Sequence, residues 1–210
     1  MPPRARLFEL LTNHPYDRTQ AAQRNNILPV TEEQLTKRLK EGDNEARKEL
    51  YERFAGGLLS LVERYVGNRE EARDVLHDGF IHVFTVSIHR FTWRGDASLT
   101  AWLRRVFTNY VLSYLERERH LAVDGVEQLP DTPDDDDPPP AIDMDTIHRL
   151  IGELPIGYRT VLNLFLIEGW SHAEIAQKLH IGESTSASQY LRAKKLLKAK
   201  IQTYIENQES

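Results

Sequence analysis

The chain has 210 residues, 40% of them apolar, which is enough for one domain or two small ones with real cores. It has no cysteine, so disulfides and thiolate metal sites are excluded. Its formal charge of −5 is misleading: nine acids and no Lys or Arg fall between Leu121 and Thr146, and without those nine the charge is +4.

Residues 1–30 carry Pro2, Pro3, Pro15 and Pro29 with little periodicity and are expected to form a flexible arm. They contain no sustained apolar core of a signal sequence, and no stretch approaches the roughly 20 apolar residues of a membrane span. A soluble, cytoplasmic protein is expected. At Thr31 the pattern changes. Thr31 and Gln34 fit a capping box, and Leu35 and Leu39 follow at helical spacing. A second helix starts at Asp43 and keeps Ala46, Leu50, Phe54, Leu58, Leu61, Val62 and Tyr65 on one face, with Gly56 and Gly57 as its weak point. A third places Ala72, Val75, Leu76, Phe80, Val83 and Phe84 together. After the polar loop "TWRGDASLT", Ser98 is the expected cap of a fourth.

Four helices over residues 31–119 predict one compact helical domain. The segment 120–143, with "DTPDDDDPPP" at its centre, ends that pattern, because proline cannot continue a helix and clustered like charge resists collapse. Periodicity resumes at Met144, Ile147, Leu150 and Ile151, and Pro155 fits a first helical position. The fold class is therefore all-α: two small helical domains, the second at 144–205, joined by an acidic Pro-rich linker.

The most informative stretch is "GWSHAEIAQKLHIGESTSASQYLRAKKLLKAKI". Ser171 and Glu174 form a second capping box, beginning a short helix that turns Ala173, Ile175, Ala176 and Leu179 inward. "HIG" makes a tight turn, and a longer helix runs from about Glu183 to Lys200. This is helix-turn-helix spacing, in which the second helix enters the major groove. Arg192, Lys194, Lys195, Lys198 and Lys200 supply phosphate-facing charge. The spacing is permissive, and an ordinary amphipathic hairpin with a solvated basic face has the same pattern.

Together, "ARKELYERFAGGLLSLVERYVGNREEARDVLHDGFIHVF", "FTWRGDASLTAWLRRVFTNYVLSYLERER" and the helix-turn-helix stretch resemble a bacterial RNA polymerase sigma factor of the extracytoplasmic-function (ECF) type. The resemblance runs from about residue 43 to 200, across both family domains in order. It implies a helix that grips a coiled coil on core RNA polymerase through Asp74, Asp78, Phe80 and Phe84. Paired carboxylates suit arginines and aromatics suit interface anchors, although Phe80 and Phe84 also fit a core. It implies that the loop and the helix after it capture a flipped base of the promoter's minus-ten element, with Phe91, Trp93, Arg94, Asp96, Ser98, Arg104, Arg105 and Asn109 as DNA-binding residues. It implies minus-thirty-five contacts by Ser184, Thr185, Ser188, Gln189, Arg192 and Lys195, with Gln189 suited to reading adenine.

The chain departs from the family in three places. Glu116 and Glu118 dilute Arg117 and Arg119, Ala187 and Gln189 stand where basic residues are common, and His180 replaces the usual turn glycine. For the linker two readings stand: Asp131 to Asp137 mimic an RNA backbone in the polymerase, or the segment is a solvated tether. The expected partners are core polymerase, promoter DNA and an anti-sigma factor, with no cofactor, metal or membrane insertion. Two rival readings are a stand-alone helix-turn-helix regulator and an HD-type phosphohydrolase, the latter suggested only by His77-Asp78. No phosphate-cradling loop, nucleophile elbow or metal cluster supports an enzyme.

Overall fold

A computed structural model describes residues 30–117 and 142–208. The expected arm before residue 30, the acids Asp131 to Asp137, and Glu118 with Arg119 lie outside the described residues. Among the described residues every regular element is helical. They divide into two compact units. One comprises the described residues to Glu63 together with Asn68–Tyr114, and the other comprises Arg64–Gly67 with the described residues from Leu115 onward.

In the first unit, α1 (Glu32–Lys40) begins with the expected capping box: the Gln34 N–H donates to the Thr31 hydroxyl at 3.2 Å, and the Thr31 N–H to the Gln34 side chain at 3.2 Å. Its Leu35 and Leu39 are buried. Asp43 starts α2 (Asn44–Val66) by accepting from the N–H groups of Glu45 and Ala46. Arg38 reaches the same carboxylate at 2.8 Å, and that hydrogen bond is the main cause holding Asp43 below the ordinary carboxylate range. α2 runs unbroken through Gly56 and Gly57, the weak point of its pattern, both exposed. Intact i to i−4 bonding on a solvated face removes only side-chain packing from a glycine there.

Asn68 caps α3 (Arg69–His82) by accepting from Glu70 and Glu71. The helix then widens into a π turn over Val83–Ser87 and tightens into a 3-10 turn at Ile88–Arg90. α4 spans Ser98–Arg117. Ser98 is its first helical residue and not its cap, because the preceding Ala97 has a left-handed φ of 64° and its carbonyl accepts from Ala101. The orphan donors of this helix start are met from α1: Glu32 accepts from the Leu99 N–H at 3.2 Å and from the Thr100 hydroxyl at 3.0 Å.

In the second unit, Asp143 caps α5 (Met144–Gly152) by accepting from the Thr146 N–H. Pro155 lies one position before α6 (Ile156–Leu162) and not within it. A π turn at Asn163–Ile167 leads to α7 (His172–Leu179), where Ser171 and Glu174 form the second capping box. The long α8 (Glu183–Gln208) packs Ala193, Leu197 and Ile201 into a core with Ile147, Leu150, Ile151, Leu154, Tyr158 and Leu162.

Candidate functional site

On α3 the chain places two carboxylates a turn apart. Asp74 and Asp78 are both exposed and enter no ion pair among the described residues. Phe80, on the other side of the helix, is 2% exposed and packs against Phe107 with ring centroids 5.1 Å apart, so it is a core residue and not a surface anchor. Gly79 allows that packing, since a Cβ there would lie 2.5 Å from Phe107 Cε1. Phe84 is half-buried, 5.8 Å from Phe80 and beneath the Arg47 guanidinium. Ile81 and Tyr51 were not anticipated by sequence reasoning and are 49% and 42% exposed. The signal for Ile81 was positional: it lies seven residues after Asp74 and three after Asp78, on the acidic face and off the apolar one. Tyr51, Ala55, Gly56 and Leu59 of α2 line a cavity of about 410 Å³ with Arg73, Asp74, Leu76 and His77 of α3.

The loop from Phe91 to Ser98 is held in an uncommon shape. Gly95 has φ 119° and Ala97 φ 64°, and the Arg94 N–H donates to the Ser98 hydroxyl at 3.2 Å. Phe91 is 5% exposed and leans on Trp102 at 4.6 Å, so it supports the loop from within and offers no stacking surface to solvent. Trp93 is half-buried, with an indole N–H that meets no hydrogen-bond partner among the described residues. Arg94 and Asp96 are exposed. On α4, Ser98, Trp102, Arg105 and Asn109 follow i, i+4, i+7 and i+11, which puts them on one face. Asn109 turns its amide back to the Arg105 carbonyl at 2.9 Å, while Arg104 is exposed on a neighbouring face.

In the second unit, α7 and α8 meet across His180, which ends α7 in the left-handed region at φ 55°. Of the inward residues expected on α7, Ile175 is fully buried, Ala176 and Leu179 are half-buried, and Ala173 is exposed. Ser184 and Ser188 are exposed at the start of α8, and Thr185, Arg192 and Lys195 are half-exposed. Gln189 departs from expectation. It is 4% exposed and lies against Gly157, so it faces the core of the unit and cannot meet a base edge in this conformation. His172 is stacked on Phe165 at 4.1 Å and lies 3.0 Å from the Ser186 hydroxyl, which ties α7 to the buried side of α8.

The family model described as Sigma-70 region 2 matches residues 50–121, and that described as Sigma-70, region 4 matches residues 144–197. The chain belongs to the sigma-70 family, as an ECF sigma factor. It is similar to the RNA polymerase sigma-H factor of Pseudomonas aeruginosa, 28% identical over 81% of this chain and 94% of that protein. It is likewise similar to the ECF RNA polymerase sigma-E factors of Haemophilus influenzae, 27% identical over 82% of this chain and 96% of that one, and of Escherichia coli K12, 26% identical over 84% and 97%. As a sigma factor it serves transcription initiation, in a family that works with core RNA polymerase on promoter DNA. Both regions match in order, which disfavours the stand-alone regulator. Among the described residues no helix is long and apolar enough to cross a membrane, and His77 and Asp78 belong to no group of residues able to hold a metal.

Proposed function

We propose that this sigma factor docks on core polymerase through α3, with Asp74 and Asp78 as the charged contacts, Phe84 at their edge, and Tyr51 and Ile81 as apolar neighbours. One observation carries this reading: two exposed carboxylates a turn apart, without ion pairs among the described residues, lie beside two exposed large apolar side chains. Uncompensated acids next to an apolar patch suit an arginine-bearing helix, because bidentate charge-assisted bonds set register while the patch supplies burial. Residues 31–119 then act as the polymerase and minus-ten domain. Trp93, Arg94, Asp96, Ser98, Arg104, Arg105 and Asn109 serve the minus-ten element, and Phe91 supports them from beneath.

Residues 144–205 act as the minus-thirty-five domain. Ser184, Thr185, Ser188, Arg192 and Lys195 meet the DNA, without Gln189. Residues 120–143 join the two domains, and about 25 extended residues can bridge grooves one or two turns apart, roughly 35 to 70 Å. The acidic α3 surface is also where an anti-sigma factor would compete with polymerase. The chain acts in the cytoplasm with polymerase and catalyses nothing itself.

The test is native co-purification of the full chain with bacterial core polymerase, beside Asp74→Arg combined with Asp78→Arg. A stoichiometric complex weakened more than about 100-fold in the double variant is expected, since reversing two central charges replaces attraction with repulsion. Equal capture of both proteins would refute the assignment.

A further inference from the structure

Leu191 is 59% exposed, the most open large apolar side chain among the described residues. Single exposed apolar residues are common on protein surfaces and by themselves mean little. The position of this one is informative. On α8, Ser186, Gln189, Ala193 and Leu197 are buried and define the inner face. Ser184, Ser188, Leu191 and Lys195 follow i, i+4, i+7 and i+11 on the opposite face. Leu191 therefore lies at the centre of the surface that carries two hydroxyls and a lysine. A helical side chain leans toward the preceding turn, so Leu191 covers the region beside Ala187, its apolar neighbour four residues earlier.

That face has few groups that discriminate bases by hydrogen bonding: Gln189 points inward, the Ser188 hydroxyl donates to the Thr185 carbonyl at 3.0 Å, Ser184 accepts or donates to most partners, and Lys195 is the charged group. The major groove offers one apolar feature that distinguishes a base pair, the C5 methyl of thymine. We propose that Leu191, with Ala187 beside it, is a specificity-determining residue that packs on a thymine methyl in the minus-thirty-five element. The proposal rests on the reading of α8 as the minus-thirty-five helix. It assigns to an apolar pair the discrimination that a basic or amide side chain would otherwise supply.

The experiment uses holoenzyme assembled from the full chain and core polymerase, first to select an upstream element from a randomised library. Each thymine of the selected element is then replaced by deoxyuridine, which removes only the methyl. At one position the parent holoenzyme should bind about fourfold more weakly, the factor that corresponds to roughly 0.8 kcal/mol for one buried carbon group. Leu191→Ala should bring the thymine-to-deoxyuridine ratio close to one, and Leu191→Met should keep it, since methionine retains apolar reach. Both variants suit a helix, so thermal melting should remain close to that of the parent. A ratio unchanged in Leu191→Ala, or no methyl-sensitive thymine at all, overturns this proposal and leaves the role of α8 standing. Failure of the holoenzyme to select any upstream element overturns both.

Discussion

The helix proposed to meet polymerase, α3, and the helix proposed to meet DNA, α8, differ in how chemistry and exposure match along them. On α3 polarity and exposure agree for Asp74, Asp78 and Phe80: the acids are exposed and the phenylalanine is buried. On α8 they are reversed at two neighbouring positions, with Gln189 buried and Leu191 exposed. The difference follows from the surroundings. α3 packs its Phe80 side against aromatic residues such as Phe107, which draws that phenylalanine inward and leaves Ile81 on the outer face with the acids. α8 inserts a narrow stripe between α6 and α7, and the angular position of a residue on the helix decides its side whatever its chemistry.

The largest expected effect lies on the packed side of α3. Gly79→Val would force a branched side chain into Phe107, whereas a Cβ at the exposed Gly56 of α2 meets nothing within 4 Å. Gly79→Val should destabilise the first unit by about 1–3 kcal/mol. Gly56→Ala should stabilise it by about 0.5–1 kcal/mol through helix propensity alone. Denaturant unfolding of both variants checks the pair, and equal midpoints would show that packing at α3 is looser than described.

On α8 the expected effects are on DNA. Lys195→Ala should weaken binding of holoenzyme to all sequences alike and lower the slope of log affinity against log salt by about 1. Gln189→Met should leave promoter preference unchanged and keep or raise stability by up to about 1 kcal/mol, because it removes a buried amide Nε2 that meets no partner among the described residues. A change of preferred base in Gln189→Met would restore it as a reader and break the contrast between the two helices.

The helical pattern was legible because it depends on local terms: the Thr31 and Ser171 capping boxes and the apolar spacing of α2, α3 and α5 are written within single turns. The site was legible in part. Phe80 and Phe91 carry the residue type of an anchor, but whether an aromatic faces a partner or a core depends on Phe107 and Trp102, which lie on another helix. Glu32 at the start of α4 is the same case, a cap supplied across 67 residues that no local motif announces. Gln189 was misread because a motif assigns roles by order along the helix, while burial follows its angle, and Ser186, Gln189 and Ala193 share the inner one.

His180 offers a smaller test. It holds the left-handed position where glycine is usual, and a side chain there is strained. His180→Gly should stabilise the second unit by about 0.5–1 kcal/mol, read by thermal melting. A loss of stability would mean that the imidazole makes contacts outweighing the backbone strain.

The smallest effect compares two carboxylates that perform one task in the two units. Asp43 caps α2 and Asp143 caps α5, and both titrate below the ordinary carboxylate range. Asp43 is held down first by the Arg38 hydrogen bond, Asp143 first by the Thr146 N–H and then by the Thr146 hydroxyl at 2.7 Å. A lowered folded value means that each contribution is complete above the unfolded carboxylate value, about 3.9, and is lost as pH falls through the folded one. Melting temperature should therefore fall below about pH 4, and less steeply in Asp43→Asn and Asp143→Asn, which keep a capping oxygen but no titrating group. Salt separates the two. At about 1 M the charged Arg38 pair is screened and the Asp43 share of the slope should shrink, whereas the bonds from Thr146 carry no net charge and the Asp143 share should persist. Equal salt sensitivity would mean that the pairing with Arg38 contributes no more to the cap of α2 than an uncharged donor contributes to that of α5.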